Sequence, residues 1–200
     1  MKKLLNLPII LICVLSPLTQ AVELSPYEVV QSTGKALFSR ISNNQKELEK
    51  SPELMQTIVE EELMPNIDYK YAAYKILGKN LRYTSREQRR QFNDSMRSYL
   101  VRTYANILNL YSNQTVVYSP EKLSSGKKIV NVSLDIVAIN KPKINIVFKM
   151  HKHIKTKKWQ AFDIVVAGIS LLQSKRIEIH RQIVKQGIEQ VAINLASANR

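Results

Sequence analysis

From residue 26 onward, apolar side chains recur at the three- and four-residue spacing of a helix. Over Pro26 to Asn43 the positions Val29, Val30, Thr33, Leu37, Phe38 and Ile41 share one face, and Pro26 after Ser25 suits a first helical turn. Ser51-Pro52 opens a second helix by the same device; Leu54, Met55, Ile58, Val59 and Leu63 line it, and Pro65 ends it. Tyr69 to Leu77 predicts a short helix closed by Gly78, a residue suited to a left-handed cap. Ser85-Arg86-Glu87-Gln88 spells a capping box. The helix it starts runs to about Tyr111, with Phe92, Met96, Tyr99, Leu100, Thr103 and Tyr104 in register on one side. Arg89, Arg90, Asp94, Arg97 and Arg102 occupy the other side.

The period then changes to two. Thr115 to Ser119 is a short strand, and Lys127 to Ile139 alternates, with Val130, Val132, Leu134, Ile136 and Ala138 against Asn131, Ser133 and Asp135. Asn140-Lys141-Pro142-Lys143 turns the chain into Ile144, Ile146, Phe148 and Met150. Lys155 to Lys158 turns it again, into a strand from Trp159 to Val166. Gly168 breaks the pattern, Ser170 can cap a helix over Leu171 to Gln186, and Gly187 sets off a final helix from Ile188 to Leu195. Helices first, then a meander, then helices predict an α+β fold: a curved antiparallel sheet of about four strands with helices packed on it. A helix across the concave side of such a sheet can enclose an apolar cavity, a preferred place for an apolar ligand.

The first twenty-one residues change how the composition is read. Lys2 and Lys3 precede a nearly unbroken apolar run from Leu4 to Leu15, Ser16-Pro17 breaks it, and Thr19-Gln20-Ala21 offers a cleavage site. This is the layout of a secretory signal peptide, with cleavage expected after Ala21 and one domain over residues 22–200. Cys13 lies within the apolar run behind Leu11 and Ile12, a poor context for lipid attachment. The whole chain has 200 residues and a formal charge of +14. The leader carries two lysines, so its removal leaves +12 on 179 residues and no cysteine. Disulfide scaffolds and Cys-rich zinc sites are therefore excluded. Five glycines without a Gly-rich run exclude a P-loop and a dinucleotide fingerprint. An exported chain meets lipid head groups and acidic envelope proteins rather than DNA, so the positive charge points away from nucleic acid. The tyrosines support this, since they fall mostly on helix faces and not on a strand platform that would stack bases.

No catalytic constellation emerges. His151-Lys152-His153 could bring two imidazoles to a strand end, but no Cys or acidic residue nearby completes a metal set. Gly168-Ile169-Ser170 lacks the second glycine of a nucleophile elbow. Asp163 reads as a partly buried carboxylate holding the Gly-Ile-Ser turn, and Glu60-Glu61-Glu62 as the solvated face of its helix. Arg82, Arg86, Arg89, Arg90 and Arg97 cluster near the start of the long helix, and Lys141, Lys143, Lys152, Lys155, Lys157 and Lys158 in the sheet turns. Either cluster is ordinary surface or a docking face for acidic partners or anionic head groups.

Two ordered segments resemble a known envelope family. Ile67-Asp68, Leu77-Gly78, Ser85, Gln88, Arg89, Phe92, Leu100, Thr103 and Tyr104 form the first; Trp159 to Asp163, Gly168 to Leu171, Arg176 and Gly187 form the second. Together they resemble the periplasmic phospholipid-shuttle component of the maintenance-of-lipid-asymmetry system, the toluene-tolerance or MlaC-like family. Two positions depart from its pattern: Leu81 stands where Trp is frequent, and Ala167 where an acidic residue is frequent. The resemblance implies an NTF2-like fold and a non-enzymatic carrier, expected as a monomer, holding phospholipid tails in a cavity with the head group outward. It implies no cofactor beyond the phospholipid carried as cargo. Its expected partners are an outer-membrane lipoprotein–porin complex and an inner-membrane lipid transporter that contains a substrate-binding ring protein; the transporter hydrolyses the ATP, so this chain would need no nucleotide. The expected lining is Leu77, Leu81, Leu100 and Tyr104 from helices, Val132, Leu134 and Ile136 from one strand, Ile146 and Phe148 from the next, and Phe162, Ile164 and Val166 from the last. The physical need is clear, because each methylene kept from water is worth ~0.8 kcal/mol, so a free two-tailed lipid faces roughly 20 kcal/mol on leaving a bilayer. The competing reading is an envelope adaptor with a solid core that docks acidic partners through its basic surface.

Overall fold

The structure, a computed structural model, describes residues 23–111, 114–122 and 126–198. The leader and its cleavage site lie outside the described residues. Helix α1 (Pro26–Asn43) begins at Ser25, whose Oγ accepts from the Glu28 amide at 3.2 Å while the Glu28 carboxylate accepts from the Ser25 amide at 2.7 Å. These reciprocal bonds satisfy two donors that an uncapped helix start leaves open. Helix α2 (Gln45–Lys50) was not foreseen. It buries no side chain and so has no apolar period to read.

Helix α3 (Leu54–Ile58) passes into a wider turn over Val59–Leu63 and a tight one over Met64–Asn66. The expectation that Glu60, Glu61 and Glu62 are merely solvated fails here. Arg97 of the long helix grips Glu60, and Arg40 of α1 reaches Glu61 at 2.5 Å and Glu62 at 2.8 Å. The acidic run therefore stitches three helical segments together. Helix α4 (Tyr69–Leu77) is capped by Asp68, whose carboxylate accepts from the Tyr71 amide at 3.0 Å. Gly78 follows with φ 51° and ψ −118°, a positive φ but not the left-handed helical cap expected. A side chain there would also press on the Arg176 guanidinium. Helix α5 (Arg86–Leu108) starts with the expected capping box between Ser85 and Gln88.

The sheet is a meander in chain order: β1 (Thr115–Tyr118), β2 (Ile129–Val137), β3 (Ile144–Lys152), β4 (Trp159–Val166) and β5 (Ile169–Ser170), every pair antiparallel. About four strands were expected. The fifth is a two-residue return that pairs with Val165 and Val166. A bulge between Lys149 and Met150 leaves Phe162 without a partner, as Met150 pairs with Ala161 and Lys149 with Asp163. Strict alternation therefore breaks inside β4. Helix α6 (Leu171–Ser197) starts on the Ser170 cap and bends at Gly187, φ 81° and ψ 164°, where two helices were predicted.

Two apolar cores result. The first lies between α1, α3 and the sheet, around Leu37, Ile41, Ile58, Val59, Val132 and Met150. The second joins α4, α5 and α6, around Ala73, Leu77, Phe92, Met96, Ile179 and Val191. Among the described residues no helix is long and apolar enough to cross a membrane.

Candidate ligand cavity

The two cores do not close on each other, and two adjoining cavities fill the gap. The first, about 180 Å³, lies between α1 and the sheet. Helix α1 lines it with Val29, Val30, Thr33, Gly34, Leu37 and Phe38, and the sheet faces it with Leu134, Ile136, Ile146, Phe148, Ile164 and Val166. The second, about 330 Å³, lies between α4, α5, β4 and the start of α6. Met96, Tyr99, Leu100 and Thr103 of α5 line one side, with Ser174, Lys175 and Glu178 of α6 opposite. Tyr104, Ile107, Ile164 and Leu171 border both.

Helix α1 approaches the sheet edge closely. A Cβ on Gly34 would sit 2.2 Å from the Tyr118 hydroxyl oxygen. Gly34 is thus required by proximity, since its neighbour leaves no room for a side chain.

The structure gathers nine of the twelve expected lining residues around these cavities. Tyr104, Leu134, Ile136, Ile146, Phe148, Ile164 and Val166 border the first, and Leu100 and Phe162 border the second. Leu77, Leu81 and Val132 lie elsewhere. Leu77 is 1 % exposed in the second core, with Leu81 packed beside it, because the inner face of α4 turns to α5 and α6. Val132 is 2 % exposed in the first core, two residues before the cavity-lining Leu134. The α1 face and the Lys175–Glu178 pair were missed as lining. The α1 stripe was legible as an apolar face, but no residue type marks a face that borders space rather than side chains.

Polar groups hold the site in shape. Asp163, 6 % exposed, accepts from the Ser170 hydroxyl at 2.8 Å and the Leu172 amide at 3.1 Å, and pairs with Lys149 at 3.0 Å. It fixes the β4–α6 turn, as its sequence context suggested. His151 sits 3.0 Å from Asp68 and stacks on Tyr71, with ring centroids 4.3 Å apart. The Asp68 amide donates to the Ala161 carbonyl at 2.9 Å, so α4 is tied to β3 and β4 at one point. His153 instead accepts from the Thr156 amide in its own turn. Among the described residues no cluster of three or more metal-ligating side chains occurs.

Several cations of the basic clusters are already engaged. Lys143 pairs with Asp135 at 2.9 Å, Lys152 with Glu23 at 2.7 Å and Arg90 with Glu87 at 2.7 Å. The Glu87 carboxyl is held below its usual range by its hydrogen bond to Arg90. Burial pushes the ionisation of the Tyr104 hydroxyl upward, with Asp163 adding to it, so this cavity-facing group stays protonated.

Comparison with known proteins places the architecture. A phospholipid-binding protein from Ralstonia solanacearum, solved in complex with a phospholipid, superposes with a TM-score of 0.78 over 88 % of this chain and 97 % of its own, at 21 % identity. The toluene tolerance protein ttg2D of Pseudomonas putida is 23 % identical over 156 residues, 78 % of this chain and 71 % of that protein. The intermembrane phospholipid transport system binding protein MlaC of Haemophilus influenzae is 33 % identical over 172 residues, 86 % of this chain and 80 % of that protein. The family model for the MlaC protein matches residues 31–197, from the cavity face of α1 to the end of α6, and the chain belongs to the MlaC family.

Proposed function

We propose that the protein is a phospholipid carrier, which keeps acyl chains from water in the paired cavities between α1, α5 and the sheet. The observation that carries this reading is the first cavity, walled by aliphatic and aromatic side chains from three directions. A protein that only docks partners has no use for such a space, and a solid core would have filled it. The relatives' names supply the chemistry of the cargo.

The setting follows from the same reading. The carrier works in the periplasm after losing residues 1–21, and it needs no cofactor, because loading and unloading are exchanges between apolar environments. Its donors and acceptors are an outer-membrane lipoprotein–porin complex and an inner-membrane transporter with a lipid-binding ring, so that lipid shuttling maintains outer-membrane asymmetry. The basic turns, with Lys141, Lys155, Lys157 and Lys158 exposed, suit acidic surfaces on such partners.

The test places a charge in the cavity. Ile146→Glu or Leu134→Glu sets a carboxylate where a tail must lie, and burying it unpaired is costly. The variant should fold, by its circular dichroism, and purify without lipid. A folded variant that retains as much lipid as wild type overturns the assignment of that cavity.

A further inference from the structure

Tyr104 projects from α5 where the two cavities meet, and it borders both of them. The chemistry on its two sides differs. The first cavity is almost wholly carbon, whereas the second carries Thr103, Asp163, Ser174, Lys175 and Glu178. Among the described residues the Tyr104 hydroxyl has no hydrogen-bond partner. Asp163, which shares the second cavity with it, is committed to Ser170, Leu172 and Lys149. A tyrosine turned into an apolar space usually finds an acceptor, since leaving its hydroxyl unpaired costs as much as a lost hydrogen bond. Burial keeps the proton on the oxygen, so the group is a donor at any working pH.

A two-chain phospholipid has neutral carbonyl acceptors at one place, the ester linkages where its chains part. A phosphate is a poor match for this neutral donor, because the cations near it are already paired, Lys149 with Asp163 and Lys175 with Glu178. We propose that Tyr104 determines specificity at this fork: its hydroxyl donates to an ester carbonyl of the bound lipid, and the ring parts the two chains, one into each cavity. This rests on the carrier reading above.

The test offers purified, delipidated protein mixed vesicles of phosphatidylcholines with equal chains, half ester-linked and half ether-linked, and weighs the loaded complexes by native mass spectrometry. An ether lipid has the same tails and head group but no carbonyl. Wild type should load the ester form about fivefold to tenfold over the ether form, the worth of one hydrogen bond. Tyr104→Phe, which keeps the ring, should load both equally. Wild type loading both forms equally, or Tyr104→Phe keeping the ester preference, overturns the proposal and leaves the carrier reading standing. Wild type loading neither overturns the carrier reading and the proposal with it. A single-chain lysophosphatidylcholine provides a measurement without a variant: two molecules per protein are expected at saturation, and one overturns the division of chains.

Discussion

Individual side chains decide where this fold is closed and where it is open. Gly34 and Tyr118 illustrate closure. Replacing a glycine inside a helix by alanine ordinarily stabilises by about 1 kcal/mol, yet here the new methyl meets the Tyr118 hydroxyl at 2.2 Å. Gly34→Ala should therefore fail to raise the melting temperature, and adding Tyr118→Phe should recover part of the gain. A single Gly34→Ala variant that melts higher than wild type would show that α1 has room to move. Asp163 illustrates a different constraint, one carboxylate serving a hydroxyl, an amide and an ammonium from three elements. Asp163→Ala leaves those half-buried donors without their shared acceptor, so it should cost about 1–2 kcal/mol in urea unfolding. A change under about half a kilocalorie would mean that water replaces the carboxylate freely.

Among elements, the division between the two apolar cores organises the molecule. Leu77→Ala opens a hole in the helical core and should destabilise by roughly 2–5 kcal/mol, while lipid retained per folded protein stays at the wild-type level. Lipid loss in the folded Leu77→Ala fraction would show that the cores communicate. The elements were legible in the sequence wherever they carry a one-sided pattern. The bounds of α1 and α4, the capping box of α5, the β2–β3–β4 meander and the Ser170 cap all follow from local spacing. What was illegible is equally specific. Helix α2 has no buried residue to betray it. The β4 bulge shifts the strand's parity through a pairing that only the folded sheet defines. Leu77 and Leu134 are each a leucine on the apolar face of its own element, and which of them borders space depends on whether the facing helix comes close enough to fill it. The ion pairs of Glu60 to Glu62 were invisible for the same reason, since their partners lie on helices remote in the chain.

For the molecule as a whole, the excess positive charge and the large apolar content serve separate purposes. Most of the charge gathers in turns and at the α5 start, away from the walls of the first cavity, where it suits encounters with acidic surfaces that should weaken with salt. The apolar content does more than bind the protein to itself, since part of it faces a space shaped for another molecule's chains. What distinguishes such a protein from one with a solid core is occupancy. The most direct measurement is native mass spectrometry of the mature protein purified without detergent, paired with solvent extraction of the same sample. The expected mass exceeds that of the polypeptide by one or more phospholipids, lost on denaturation and recovered in the extract. A clean polypeptide mass with a lipid-free extract would contradict it.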